Sequence, residues 1–140
     1  MACDAGGQCM AVWDQYDNCG VITITTLTVN QAGKDAGGDL EPVIFATVDG
    51  QPEREIWENN PSHTTGQVTI NIDVPFCGGV TFHVWESDSN NPKDDDMGTL
   101  RFVPDDLGKT PHNFSVDDDG ARESVGITFS AQIRQHYQVA

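Results

Sequence analysis

Basic side chains are what this sequence has least of: 7 Lys and Arg stand against 22 Asp and Glu, a formal charge of −15. Nucleic-acid binding needs clustered cations to displace counterions from phosphates, so the balance argues against that partner. For the same reason no polybasic segment exists to hold the chain on anionic lipid unaided. Long apolar runs are missing as well, and none approaches the ~20 residues that a spanning helix needs. The first residues, MACDAGGQCMAVW, have no basic segment followed by a continuous apolar stretch. No secretory signal is therefore visible, and a cytoplasmic or peripheral-membrane location is expected. Cysteines are few, at Cys3, Cys9, Cys19 and Cys77, with no C-x-x-C pair and none of the zinc spacings. Reduced thiols are the expectation for a chain without a secretion signal. Sustained 3.6-residue periodicity, a Gly-rich phosphate loop and a nucleophile motif are all absent, and His63, His83, His112 and His136 are scattered. An enzyme is not expected.

What is present is a β pattern. A length of 140 residues with 37% hydrophobic and 21% charged content suits one folded domain rather than a disordered chain. Residues 1–20 read as an irregular Cys-containing leader, and 21–140 as the folded domain. Val21–Val29 is dense in β-branched residues, but Ile22 and Ile24 share one face while Leu27 and Val29 share the other. A bulge near Thr25–Thr26 would reconcile them. Val43–Val48 and Gln51–Trp57 flank an Asp49-Gly50 hairpin signal. Val68–Val74 alternates cleanly, as do the segment starting at Val80 and Val125–Ile133; Thr99–Val103 and Asn113–Val116 are shorter. Eight short strands with frequent turns predict an all-β, antiparallel β-sandwich.

The densest chemistry lies in Val80–Gly98, VTFHVWESDSNNPKDDDMG. It starts as a strand and is expected to break into a loop carrying Glu86, Asp88, Asp94, Asp95 and Asp96. So many carboxylates on one connection repel one another unless a cation sits among them, and hard oxygen donors suit Ca²⁺. A solvated acidic loop is the plain alternative. A second acidic stretch, Lys34-Asp35-Ala36-Gly37-Gly38-Asp39-Leu40-Glu41-Pro42, precedes the second strand.

Together the two stretches resemble the C2 domain, the calcium-dependent membrane-targeting module of protein kinase C and the synaptotagmins. Asp35 and Glu41-Pro42 keep the spacing of that family's first calcium loop. Glu86-Ser87-Asp88 and Asp94-Asp95-Asp96-Met97-Gly98 match its third loop with one extra residue between, and Asn60-Pro61 falls where its second loop has Asn-Pro. The resemblance spans about Val21 to Ile133. It implies calcium ligands at Asp35, Glu41, Glu86, Asp88 and Asp95, with Asp39 and Asp94 as alternates. It also implies calcium-dependent docking on a phospholipid membrane or a protein partner.

Departures from the pattern are clear. Glu replaces Asp at Glu41 and Glu86, Ser62-His63 follows the Asn-Pro where a Trp is usual, and the lysine-rich strand of phosphoinositide-binding relatives is absent. Leu40 and Met97 are the apolar side chains left to touch lipid or to plug the loop bases. Eight strands from Val21 imply the family's second topology, with the chain ends opposite the calcium loops. That topology returns Asp117–Asp119 to the calcium end as a possible outer carboxylate source. It also sets Cys77 near Cys19, so a Cys19–Cys77 bridge is the pairing to test. Two other functions fit the same sequence: an adhesion or interaction sandwich whose loops calcium rigidifies, and a carbohydrate-binding sandwich using Trp85, Trp57 or Trp13 as a stacking platform.

Overall fold

The computed structural model describes residues 19–32, 40–58, 66–88, 91–103, 112–118 and 120–133. They form strands β1 (Cys19–Ala32), β2 (Pro42–Val48), β3 (Arg54–Glu58), β4 (Gln67–Cys77), β5 (Val80–Asp88), β6 (Asn91–Phe102), β7 (His112–Asp118) and β8 (Ala121–Ile133). Two four-stranded sheets result, in the orders β4-β1-β8-β7 and β3-β2-β5-β6, and the strand pairs are antiparallel. The expected β-sandwich is the fold. None of the described residues forms a helix long and apolar enough to cross a membrane.

The period-2 pattern of the sequence builds the core. Ile44, Ala46 and Val48 of β2 meet Val80, Phe82 and Val84 of β5, and across the sandwich they meet Ile22, Ile24 and Leu27 of β1 and Val125, Ile127 and Phe129 of β8. Phe82, Phe102 and Phe129 pack ring on ring, with centroids 5.0–6.1 Å apart. Burying each such ring contributes about 1.5–3 kcal/mol. The parity slip in β1 is resolved as expected: the register shifts between Ile24 and Thr26 against both β4 and β8. That bulge turns Ile24 and Leu27, three positions apart, onto the same buried face.

Register fixes which loops share an end. Ala32 lies opposite Glu123, Pro42 opposite Glu86, Glu58 opposite Val43, and Asp88 opposite Asn91. One tip therefore collects the β1–β2, β3–β4, β5–β6 and β7–β8 connections. At the far end Gly20 pairs with Ile133, so the described chain ends lie away from that tip, as the second C2 topology requires.

Two sequence expectations are corrected. Glu86–Gly98 is not an open acidic loop: β5 runs to Asp88 and β6 starts at Asn91, so most of its carboxylates stand on paired strands. The backbone ladder continues because alternate side chains still reach water or the interior, so acid content alone does not end a strand. Acidic residues stand on paired strands at Asp117 and Asp118 too, opposite Arg122 and Ala121. The second correction concerns the thiols. Cys19 and Cys77 are joined in a disulfide rather than reduced. They are direct cross-strand partners on β1 and β4, the juxtaposition the C2 topology implied. Among the described residues no cysteine is free; Cys3 and Cys9 lie outside them.

Beside this disulfide end, Arg101 donates two hydrogen bonds to Asp49, at 2.8 and 2.6 Å. Those bonds hold the Asp49 carboxyl below its ordinary value against desolvation, with the guanidinium charge and the Gly79 backbone adding to the effect. A depressed folded-state pKa gives stability that is present above the unfolded value, near 3.8, and lost as pH falls through the folded one. Arg101→Met should therefore return the Asp49 carboxyl to its ordinary titration range in a carbon-detected NMR pH series. An unmoved Asp49 titration would show that the bidentate contact does not form in solution.

Candidate metal centre

At the tip, the inward stripe of each strand runs out of apolar residues and ends in acid. On β5 the series Val80, Phe82, Val84 continues to Glu86, which is 7% exposed. On β8 the series Phe129, Ile127, Val125 continues to Glu123, only 2% exposed. β6 needs a correction of phase to join them. Leu100 and Phe102 point inward, which by strict alternation would send Asp94 and Asp96 inward too. Gly98, at φ +116°, sits in a bulge where the β5–β6 register shifts, with Val84 opposite Gly98 but Trp85 opposite Asp96. The shift buries Met97, brings Asp95 half into the interior opposite Glu86, and leaves Asp94 and Asp96 exposed.

The outcome is a cluster drawn from both sheets. One carboxylate oxygen each from Glu86, Asp95 and Glu123 lies within 4.8 Å of the others. Oxygens around one Ca²⁺ sit at roughly 2.3–2.6 Å from it, so two ligands on opposite sides of the ion are about 5 Å apart. The observed span matches a shared ion. The donor set is all hard oxygen, with neither imidazole nor thiolate, which suits calcium better than zinc. Without a cation, each pair of charges at this distance repels by about 3 kcal/mol at an effective dielectric near 20.

The β1–β2 segment reaches the same place through its backbone. The Glu41 N–H points at Glu86 Oε1, 3.4 Å away. The Glu41 carbonyl accepts from the Ser87 N–H at 2.8 Å and from Ser87 Oγ at 3.0 Å. Glu41 is thus fastened beside Glu86 and half-buried. Asp35 and Asp39 lie outside the described residues, as do Asn60-Pro61 and Asp119. Asp88 closes β5 opposite Asn91, with its side chain outside the description. Asp117 points outward and pairs with Arg122.

Glu123 was absent from the ligands that the C2 pattern implied. The signal for it was parity: the stripe Ile133, Ala131, Phe129, Ile127, Val125 lands on Glu123 when continued by one step. Leu40 and Met97, 1% and 2% exposed, belong to the core and not to a lipid-facing rim. Trp57 is half-buried and packs against the core; Trp13 lies outside the described residues.

Gly98→Ala should cost about 1–3 kcal/mol, because a left-handed backbone suits glycine and the bulge has no equivalent for an L side chain. The nearest side-chain atom to an added Cβ, Phe114 Cδ2, would be 3.9 Å away, so conformation rather than collision sets the penalty. Urea denaturation checks it; an unchanged midpoint would mean that Gly98 does not hold this φ in solution.

No protein-family model matches the sequence, and no curated protein does. Solved structures do match in shape. CC2D1B superposes over 90% of this chain and 60% of its own, with a TM-score of 0.51 and 11% identity. The C2A domain of plant extended synaptotagmin 1 superposes over 84% of this chain and 98% of its own, at TM-score 0.49 and 11% identity. Human GIVD cytosolic phospholipase A2 matches over 80% of this chain but only 16% of its own, at TM-score 0.49 and 14% identity. The chain has a C2-like β-sandwich fold. The likeness is one of fold, with an acidic tip that its own residues define.

Proposed function

We propose that this chain is a calcium-binding C2-like module whose tip, once calcium neutralises it, docks on a membrane surface or a protein partner. The observation that carries this is the convergence of Glu86, Asp95 and Glu123 from opposite sheets. Three carboxylates supply at most two oxygens each, six in all, at the lower end of the 6–8 that calcium takes. Glu41, fastened beside Glu86, is the nearest further donor; Asp35, Asp39, Asp88 and Asp94 complete the candidate set.

The burial of Leu40 and Met97 favours a second reading. Among the described residues these two apolar side chains fill the loop bases and offer no wedge for lipid. In that reading calcium rigidifies the loops of a protein-interaction or adhesion sandwich. Co-sedimentation with phosphatidylserine vesicles, with calcium and with chelator, separates the two. Calcium-dependent pelleting supports membrane docking. No pelleting together with a calcium-induced rise in melting temperature supports the interaction module. Neither response would overturn both.

A further inference from the structure

The outer face of the β3-β2-β5-β6 sheet carries an arrangement that the tip does not use. β2 is buried on both sides: Ile44, Ala46 and Val48 belong to the core, whereas Val43 and Phe45, 2% and 9% exposed, lie outside the core cluster. Phe45 stands opposite His83 on β5, and His83 stacks on Trp85 with centroids 4.6 Å apart and planes at 30°. The Lys93 ammonium lies over this aromatic floor, 4.7 Å from the Phe45 centroid and 5.9 Å from that of Trp85. It is also paired with the Glu53 carboxylate. His83 is hydrogen-bonded at 2.8 Å to Asp96, whose side chain is 55% exposed. The face is thus an aromatic floor rimmed by carboxylates with a cation on it, and the cation belongs to the chain itself.

Such a surface has the chemistry of a receptor for ammonium or guanidinium groups, since ring faces and carboxylates both attract them. We propose that this face binds a basic segment of a protein partner, an Arg or Lys side chain taking the place over Phe45 and Trp85 that Lys93 holds in the free chain. Charge complementarity selects the occupant. The chain carries −15 overall, and the rim repels phosphate and sulfate. Glu55, opposite Phe45 on β3, has its carboxyl pushed up by burial and then by Glu58, a charge conflict that an incoming cation relieves. The Trp85 Nε1–H is buried and makes no hydrogen bond, an unsatisfied donor within this aromatic cluster. Lys93 is then an internal competitor, and its removal strengthens binding. This site is separate from the metal centre and acts without calcium.

The test is NMR titration of the full ¹⁵N-labelled chain, in EDTA at physiological salt, with an amidated Arg-Gly-Arg-Gly-Arg peptide and its citrulline counterpart. Saturable shifts are expected at the Trp85 indole N–H and around His83 with the arginine peptide only. Affinity should rise about fivefold in Lys93→Ala, which vacates the place over Phe45 and Trp85. It should fall in Asp96→Asn, a surface change that leaves the core intact. Equal binding of the citrulline peptide, shifts spread over every acidic residue, or no change in Lys93→Ala would overturn the proposal. So would shifts at the same residues produced by phosphatidylinositol 4,5-bisphosphate vesicles without any peptide, which would assign the face to a lipid headgroup.

Discussion

Glu123→Gln should raise the melting temperature of the calcium-free protein and abolish the rise that calcium produces in the parent. The two effects have opposite signs and one cause. Glu123 is buried and its carboxylate shares a 4.8 Å cluster with Glu86 and Asp95, so in the absence of a cation its charge opposes folding. Replacing it with the neutral isostere removes about 3 kcal/mol of repulsion per pair before relaxation, and a net gain of about 1–3 kcal/mol is expected. With calcium the charge becomes an asset. An ion that binds only the folded state stabilises it by about 2.7 kcal/mol at a hundredfold excess over Kd. For a chain of this length that corresponds to a rise of roughly 8–13 °C. Differential scanning fluorimetry of parent and variant, in chelator and in millimolar calcium, gives all four values. A variant that is destabilised in chelator and still responds to calcium would show that Glu123 is structural and not part of an ion site. Glu86→Gln should behave in the same way. Asp117→Asn, at an exposed carboxylate paired with Arg122, should leave the calcium response intact.

Reduction of the Cys19–Cys77 disulfide should cost about 2–4 kcal/mol, a fall in melting temperature of roughly 8–15 °C. The bond joins positions 58 residues apart in sequence. In the chain-entropy treatment, closing a loop of that length in the unfolded state is worth about 4 kcal/mol, an upper figure because denatured chains retain some compactness. Its place in the fold adds to the effect. Among the described residues β4 is an edge strand paired with β1 alone, and the bridge pins it where the described chain begins. The double variant Cys19→Ser with Cys77→Ser should melt at the temperature of the reduced parent. Melting unaltered by reductant, or a parent whose thiols alkylate fully without reductant, would show that the bond is not part of the native state. Because the bond lies at the end opposite the acidic tip, reduction should lower stability without removing the calcium response.

These two predictions also divide what the sequence revealed from what it hid. Strand content followed from alternation in segments such as Val80–Val84 and Val125–Ile133, where one face must meet the core and the other water. The β1 bulge was visible because Ile24 and Leu27 could not share a face without one. Glu86 was reached through the third-loop pattern and was expected on a loop, although the parity of Val80, Phe82 and Val84 continues to it. Asp94, Asp95 and Asp96 were harder: three consecutive identical residues offer no phase of their own. The inward one is selected by the Gly98 bulge, whose location is set by pairing with β5. Glu123 was hidden for a related reason. A run of acids after Val116 reads as a solvated turn until the β7–β8 pairing carries the strand through it. The disulfide depended on which strands become neighbours, and that is a property of topology rather than of local composition.

The most direct measurement is an isothermal calorimetric titration of calcium into the chelator-stripped chain at physiological salt. The proposed calcium site predicts saturable binding at one or more sites, reduced at least tenfold by Glu123→Gln, a loss of about 1.4 kcal/mol or more. Absence of saturable heat, or an identical isotherm for the variant, would contradict the ion site formed by Glu86, Asp95 and Glu123.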